Sequence, residues 1–259
     1  MFTTARRTIG FLLVVTTLLS AGCIKAKQNI VFMPDGSGRM DMTLGYSKAM
    51  FDQMNQGQQQ KDPTDINISE MADQSQGIVA FTRPVREEKD GWVMVRFSAY
   101  FDDINDVKMN KNDAEDSPVY TFREDGTGHR VEVTKGMTTN MISEMGEEEV
   151  PAEQRQMMLM MFAGFELTES FTMPGTVADA TGLPKVDGRT ASVTVVDRDL
   201  VDRAKLTELG ADPRVVVSEA STLSAGELAA FRAEMAQAKA EWAAIKAEAA
   251  AAAATQPAE

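Results

Sequence analysis

Four Asp-Gly dipeptides punctuate the chain, at Asp35-Gly36, Asp90-Gly91, Asp125-Gly126 and Asp187-Gly188. Each precedes a segment in which apolar and polar side chains alternate, such as Met40, Met42 and Leu44, or Val93, Val95 and Phe97. Glycine supplies the positive φ of a tight turn, and a period of two marks a strand with one buried face. The pattern predicts antiparallel hairpins: Ile30 and Phe32 lead into the first turn, and Val119 to Phe122 into the third. Helical stretches stand between these strands, so the fold class is α+β with antiparallel sheets.

The hairpins also predict an internal duplication. Met33-Pro34-Asp35-Gly36-Ser37-Gly38 leads into Met40 to Tyr46, and Glu124-Asp125-Gly126-Thr127-Gly128 leads into Val131 to Met137. One inserted residue then sets Met50 on Met141, Phe51 on Ile142 and Met54 on Met145, and both segments run through polar residues to Pro63 or Pro151. Runs of matches at a fixed offset mark repeated units. The expectation is two tandem ββαββα units, residues 28–109 and 117–206, with Gly36 equivalent to Gly126 and Thr43 to Thr134. A helix capped by Ser47 and running to Met54 has its counterpart near Thr138, and one over Ser69 to Gln76 answers one opened by Pro151. Ile78 to Arg83 pairs with Trp92 to Ala99, and Phe165 to Met173 with Thr190 to Val196. Acidic segments, Phe101 to Asp106 and Asp197 to Asp202, end the two units, and polar residues from Asn110 to Ser117 join them.

The amino terminus carries an address. Arg6 and Arg7 precede an apolar core from Ile9 to Ser20, too short to span a bilayer, where about 20 apolar residues are needed. The core ends in Leu19-Ser20-Ala21-Gly22-Cys23, which resembles the lipobox of bacterial lipoproteins. The resemblance implies a signal peptide over residues 1–22. It also implies a mature chain whose first residue, Cys23, bears diacylglycerol and a fatty acyl chain such as palmitate. Residues 23–27 then form a lipidated tether. The expected location is membrane-anchored and extracytoplasmic, and Ile24 rather than Asp after the cysteine points to the outer membrane where a cell has one.

Composition limits the partners. Loss of Arg6 and Arg7 takes 26 basic side chains to 24 against 39 acidic, a formal charge of −15 on the mature chain. Such a chain repels phosphate backbones, which argues against nucleic acid. It also lacks a polybasic stretch to hold anionic lipid, so attachment falls to the acyl chains. Cys23 is the only cysteine, which leaves stability to packing without disulfides.

Residues that carry chemistry are scarce. His129 is the only histidine and follows a hairpin turn, and no Gly-x-Ser-x-Gly or Ser-x-x-Lys motif occurs. His129 therefore reads as a half-exposed strand residue. No zinc site or cofactor is expected. Asp102, Asp103 and Asp106, and the run from Asn112 to Asp116, lack the spacing of a calcium loop and read as solvated acidic segments. An enzyme would have to work with carboxylates alone.

Methionine is abundant, with 18 residues, and concentrates in Met157-Met158-Leu159-Met160-Met161-Phe162. Flexible, polarisable side chains of this kind fill cores or accommodate varied apolar partners. Met157, Met158, Met160, Met161 and Phe162 are accordingly the candidate hydrophobe-binding residues, with core filling as the alternative.

At the carboxyl end, Ser224-Ala225-Gly226-Glu227 reads as a capping box opening a helix over 224–250. Leu228, Phe231, Met235, Ala238, Trp242, Ile245 and Ala249 form a seam at steps of three and four. The seam predicts packing on its own domain or oligomerisation through residues 224–250. Residues 251–259 read as a disordered tail.

Phe171-Thr172-Met173-Pro174-Gly175-Thr176-Val177, followed by Asp187-Gly188-Arg189-Thr190-Ala191-Ser192-Val193, resembles lipoproteins with an LppM-like extracytoplasmic domain. The resemblance covers about thirty residues. It implies an acyl-anchored α+β domain suspected of handling envelope lipids, and it brings no catalytic motif. The functional expectation is a non-enzymatic binding module for a lipid-like ligand or an envelope partner. The alternative is a scaffolding lipoprotein assembled through its carboxyl-terminal helix.

Overall fold

The computed structural model describes residues 24–49, 51–52, 64–110, 117–144 and 151–255. Residues 1–22, which the sequence predicts to be a signal peptide, Cys23, Met50, Met54, Met145 and residues 256–259 lie outside the described residues. In chain order the elements are β1 (Ile24–Phe32), β2 (Gly38–Ser47), α1 (Ile68–Gln74), β3 (Ile78–Phe81), β4 (Val85–Lys89) and β5 (Trp92–Phe101). After a short 3-10 turn at Ile104–Asp106 come β6 (Val119–Asp125), β7 (Gly128–Thr134), α2 (Met137–Glu144) and α3 (Ala152–Met161). The chain continues through β8 (Glu166–Thr172), β9 (Val177–Thr181), β10 (Lys185–Asp187), β11 (Thr190–Val196) and a 3-10 turn at Asp197–Val201. It ends with α4 (Arg203–Leu209), β12 (Arg214–Ser218) and α5 (Ala225–Thr255). The mixed α+β class and the carboxyl-terminal helix follow the sequence. Gly36 and Gly126 take φ of +81° and +63°, which fits them to the β1–β2 and β6–β7 turns.

The strands form two sheets. The larger runs β10-β11-β8-β1-β2-β5-β3, with β4 continuing the outer edge along β5. All its pairs are antiparallel except β1 with β8, where Lys25 stands beside Glu166 and Val31 beside Thr172. The smaller sheet runs β6-β7-β12-β9 and is antiparallel throughout. Alternation places Ile30, Phe32, Met40, Phe171 and Val193 on one buried face, and Tyr120, Phe122, Val131, Val133 and Val216 on the other. The two faces meet at Phe32, whose ring stacks on Phe122 at 5.4 Å and lies 6.5 Å from Phe171. Asn105 ties the sheets at one corner, accepting the Phe122 N–H at 2.8 Å and donating to its carbonyl at 3.1 Å.

This arrangement corrects the tandem-unit expectation. The strands of residues 28–109 stay in one sheet, whereas those of 117–206 divide: β6, β7 and β9 enter the smaller sheet, and β8, β10 and β11 join the larger. Like turns thus begin unlike structures. The physical reason is burial. The face bearing Ile30, Phe32 and Phe171 needs an apolar lid, and the β6–β7 hairpin supplies it by crossing over rather than building a second sheet. Its turn glycines and alternation are the same in either role.

The capping box forms as predicted, with the Glu227 N–H on Ser224 Oγ at 3.2 Å and the Ser224 N–H on Glu227 Oε2 at 2.8 Å. The helix it opens runs through Thr255, beyond the expected end at residue 250. Phe231, Met235, Ala238, Trp242 and Ile245 are buried, while Ala249 is exposed. Trp242 meets Phe81 edge-on at 5.5 Å, and Phe231 lies 6.4 Å from Tyr100. The helix therefore packs its seam against side chains of β3 and β5. Polar ties flank the seam: Arg39 and the Tyr100 hydroxyl, the latter at 2.6 Å, both bond Glu234, Lys239 meets Asp102 at 2.7 Å and Arg83 meets Glu248 at 2.7 Å. Burial and the bond to Glu234 push the Tyr100 phenol up to about 12. Among the described residues, no helix is long and apolar enough to cross a membrane.

Candidate functional site

The methionine run lies on α3. Pro151 precedes the helix, where its missing N–H costs nothing. At the other end the Phe162 N–H bonds the Met158 carbonyl at 2.8 Å, and Phe162 packs edge-on to Phe165 at 6.3 Å. The Gly164 N–H bonds Asp197 Oδ2 at 2.9 Å and pins the exit of the helix to the 3-10 turn after β11. Phe162 is thus buried and Met158 half-buried against the core. The others face outward: Met157, Leu159, Met160 and Met161 are 53, 37, 67 and 36 % exposed. Of the candidate binding residues, Met157, Met160 and Met161 therefore share one face of the helix, Leu159 points to the other side, and Phe162 belongs to the interior. Fully burying such a side chain contributes roughly 1.5–3 kcal/mol, much of which Met157 and Met160, each more than half exposed, forgo.

Sequence reasoning missed a second constellation, between the sheets. Glu169 on β8 and Arg214 on β12 are both fully buried, and Arg214 Nη1 bonds Glu169 Oε2. Arg214 Nη2 also donates to the Leu209 carbonyl at 2.6 Å. The amides of Met137 and Thr138, at the start of α2, donate to the two Glu169 oxygens at 3.2 and 3.3 Å. Gly136 makes room, since a Cβ there would stand 2.6 Å from Glu169 Oε1. Gln28 is the β1 neighbour of Glu169, and Tyr120 and Arg214 flank Val133 across the smaller sheet, so two polar rows face each other. Burial lowers the Arg214 pKa against the raising effects of Glu169 and Asp212. Burial and then Glu169 push the Tyr120 phenol upward. A general acid or base has to reach its substrate. Glu169 is enclosed and bonded to its own chain, which is the geometry of a clamp between layers.

His129 corrects a further expectation. It is buried rather than half-exposed, with its ring stacked on Phe122 at 5.4 Å. Asp102 is engaged by Lys239, and Asp103 accepts the Asn105 N–H at 2.9 Å to cap its 3-10 turn. The acidic run Asn112 to Asp116 lies outside the described residues. Among the described residues, no three His, Cys, Asp or Glu side chains group closely enough to hold a metal ion. A shallow pocket of about 60 Å³ lies between the β1–β2 turn and α5, lined by Met33, Pro34, Leu228 and Phe231 among others. Small-molecule sites start at roughly 300 Å³, so this pocket offers no chamber for an acyl chain.

No protein-family model and no curated protein matches the chain. Among solved structures it is similar to the folded domain of Mycobacterium tuberculosis LppM, determined by NMR. That likeness has a TM-score of 0.36 at 9 % identity, over 80 % of this chain and 95 % of the other, which is too distant to assign a family.

Proposed function

We propose that the protein is an acyl-anchored lipoprotein, held through Cys23 at the extracytoplasmic side of a bacterial membrane, and that it is a non-enzymatic binding module for a lipid-like ligand or an envelope partner. The observation that carries this reading is the exposed face of Met157, Met160 and Met161. Unbranched, polarisable side chains adapt to apolar partners of varied shape, as a lipid contact requires. Assembly through the carboxyl-terminal seam has less support, because its large side chains are buried against β3 and β5.

The test is binding of a fluorescent lipid to the wild type and to a Met157→Ser, Met160→Ser double variant. Both side chains lie more than half in water, so the fold should survive, as judged by near-ultraviolet circular dichroism. Binding should weaken by roughly tenfold, the equivalent of about 1.4 kcal/mol. Equal affinity in the two proteins would overturn α3 as the contact surface.

A further inference from the structure

We infer that the exposed end of α3 seats in the interfacial layer of the membrane itself, as a second contact beside the lipidated amino terminus. The inference rests on the anchor proposed above and names its ligand as a leaflet of uncharged or zwitterionic lipid rather than a single enclosed molecule.

Strand register carries the placement. Ile24 opens β1 opposite Tyr46, and Lys25 stands beside Glu166 at the start of β8. Val196, the last residue of β11, is the other neighbour of Glu166, and Trp92 opens β5 opposite Ser47. One end of the larger sheet thus gathers the entry of the chain, the exit of α3 and the 3-10 turn to which that exit is pinned. Only Phe162 to Phe165 separate α3 from β8, and they close on themselves through the Phe165 N–H to Phe162 carbonyl bond at 2.8 Å. Cys23 precedes Lys25 by two residues, a span of at most about 7 Å. Acyl chains on Cys23 would therefore start at the end of the sheet where α3 joins β8.

The chemistry of that end fits the boundary between headgroups and acyl chains. Trp92 is half-buried, and the Lys25 ammonium lies 4.3 Å from the centre of its ring. Trp and Lys are side chains that sit at membrane interfaces, an apolar body inward and a polar tip in water. On α3 itself, Gln154, Arg155 and Gln156 precede the four exposed apolar residues, so the helix is polar at its start and apolar at its end. Glu166, Asp197 and Asp199 lie nearby, and the mature chain is strongly acidic, which disfavours anionic headgroups. Two or more acyl chains already suffice for stable attachment. The contribution of α3 is then orientation: it turns the turn at Asp187–Gly188, on the far end of the sheet, away from the bilayer.

The test uses the full chain, extracted in detergent and reconstituted into phosphatidylcholine vesicles. An environment-sensitive fluorophore is attached through Met160→Cys or, as a control at the far end, Val186→Cys. The acylated cysteine is the only other one in the chain, so labelling is specific. Both positions are exposed, at 67 and 48 %, and neither change touches the core. The label at residue 160 should shift to shorter wavelength and be quenched by lipids carrying a nitroxide near the top of the acyl chain, as for a helix seated roughly 5–10 Å below the headgroups. The label at residue 186 should do neither. Equal, unquenched emission from both positions, on protein that floats with the vesicles, would overturn the inference and leave the anchor standing. Protein that does not float and carries no acyl mass on residue 23 would overturn both.

Discussion

Glu169 and Arg214 bring opposite charges between the two sheets, and both are fully buried. Desolvation costs several kcal/mol per ion, and the Leu209 carbonyl and two amides of α2 offset part of it by adding bonds around the pair, while Arg214 Nε has no bonding partner among the described residues. Breaking the pair from one side should therefore be costly. Glu169→Leu or Arg214→Met alone should each lower the unfolding free energy by roughly 3–5 kcal/mol in urea titrations, since the survivor stays buried without its partner. The double variant should recover most of that loss. Single losses that simply add would show that the two charges are not coupled. The pair was half legible in the sequence. Leu167, Glu169 and Phe171 alternate on one strand face, as do Gln28, Ile30 and Phe32, so a polar residue at a core position could be read in each case. That Arg214 answers Glu169 could not, because β12 and β8 lie in different sheets and 45 residues apart. Burial of His129 was missed at shorter range, since the Phe122 ring that stacks on it lies across the same β6–β7 hairpin.

Among the elements, α5 and the hairpins were the most legible, and for the same reason: their signals are local. A capping box, a turn glycine and a period of two or of three and four are decided within about ten residues. What α5 packs against is not local, and the structure places it along β3 and β5 with Phe231, Met235, Trp242 and Ile245 buried. At roughly 1.5–3 kcal/mol for each buried side chain, removing residues 224–259 should cost several kcal/mol and lower the melting temperature steeply. Sedimentation should find the acyl-free protein in the same oligomeric state with and without those residues. An oligomer that dissociates on truncation would instead assign the seam to another chain. The short strands β4, β9, β10 and β12 were missed: β4 and β10 run into Asp-Gly turns but carry almost no apolar alternation, and β9 and β12, the latter despite Val215, Val216 and Val217, have no Asp-Gly turn beside them. For α3 the composition was plain, but a helix apolar on all sides reads as buried, and its actual exposure depends on what the rest of the chain leaves uncovered.

At the scale of the whole molecule, the layers and the address make separate demands on the sequence. The proposed address is linear: a short apolar core, small residues and one cysteine would be read in the extended chain before anything folds. Cys23→Ser should accordingly abolish processing, leaving an uncleaved precursor without acyl mass by intact-protein mass spectrometry, whereas the wild type should begin at an acylated Cys23. A wild-type chain with no lipid at that residue would overturn the anchor. The α+β class, the hairpins, the helix caps and the poverty in catalytic residue types were likewise determined by the sequence alone, through preferences that act between near neighbours. The tertiary structure decided which hairpin crosses to a second layer, which charges meet inside it, and which apolar side chains stay in water. Those outcomes turn on competition among distant surfaces for burial, and that competition is settled only when all the strands are in place.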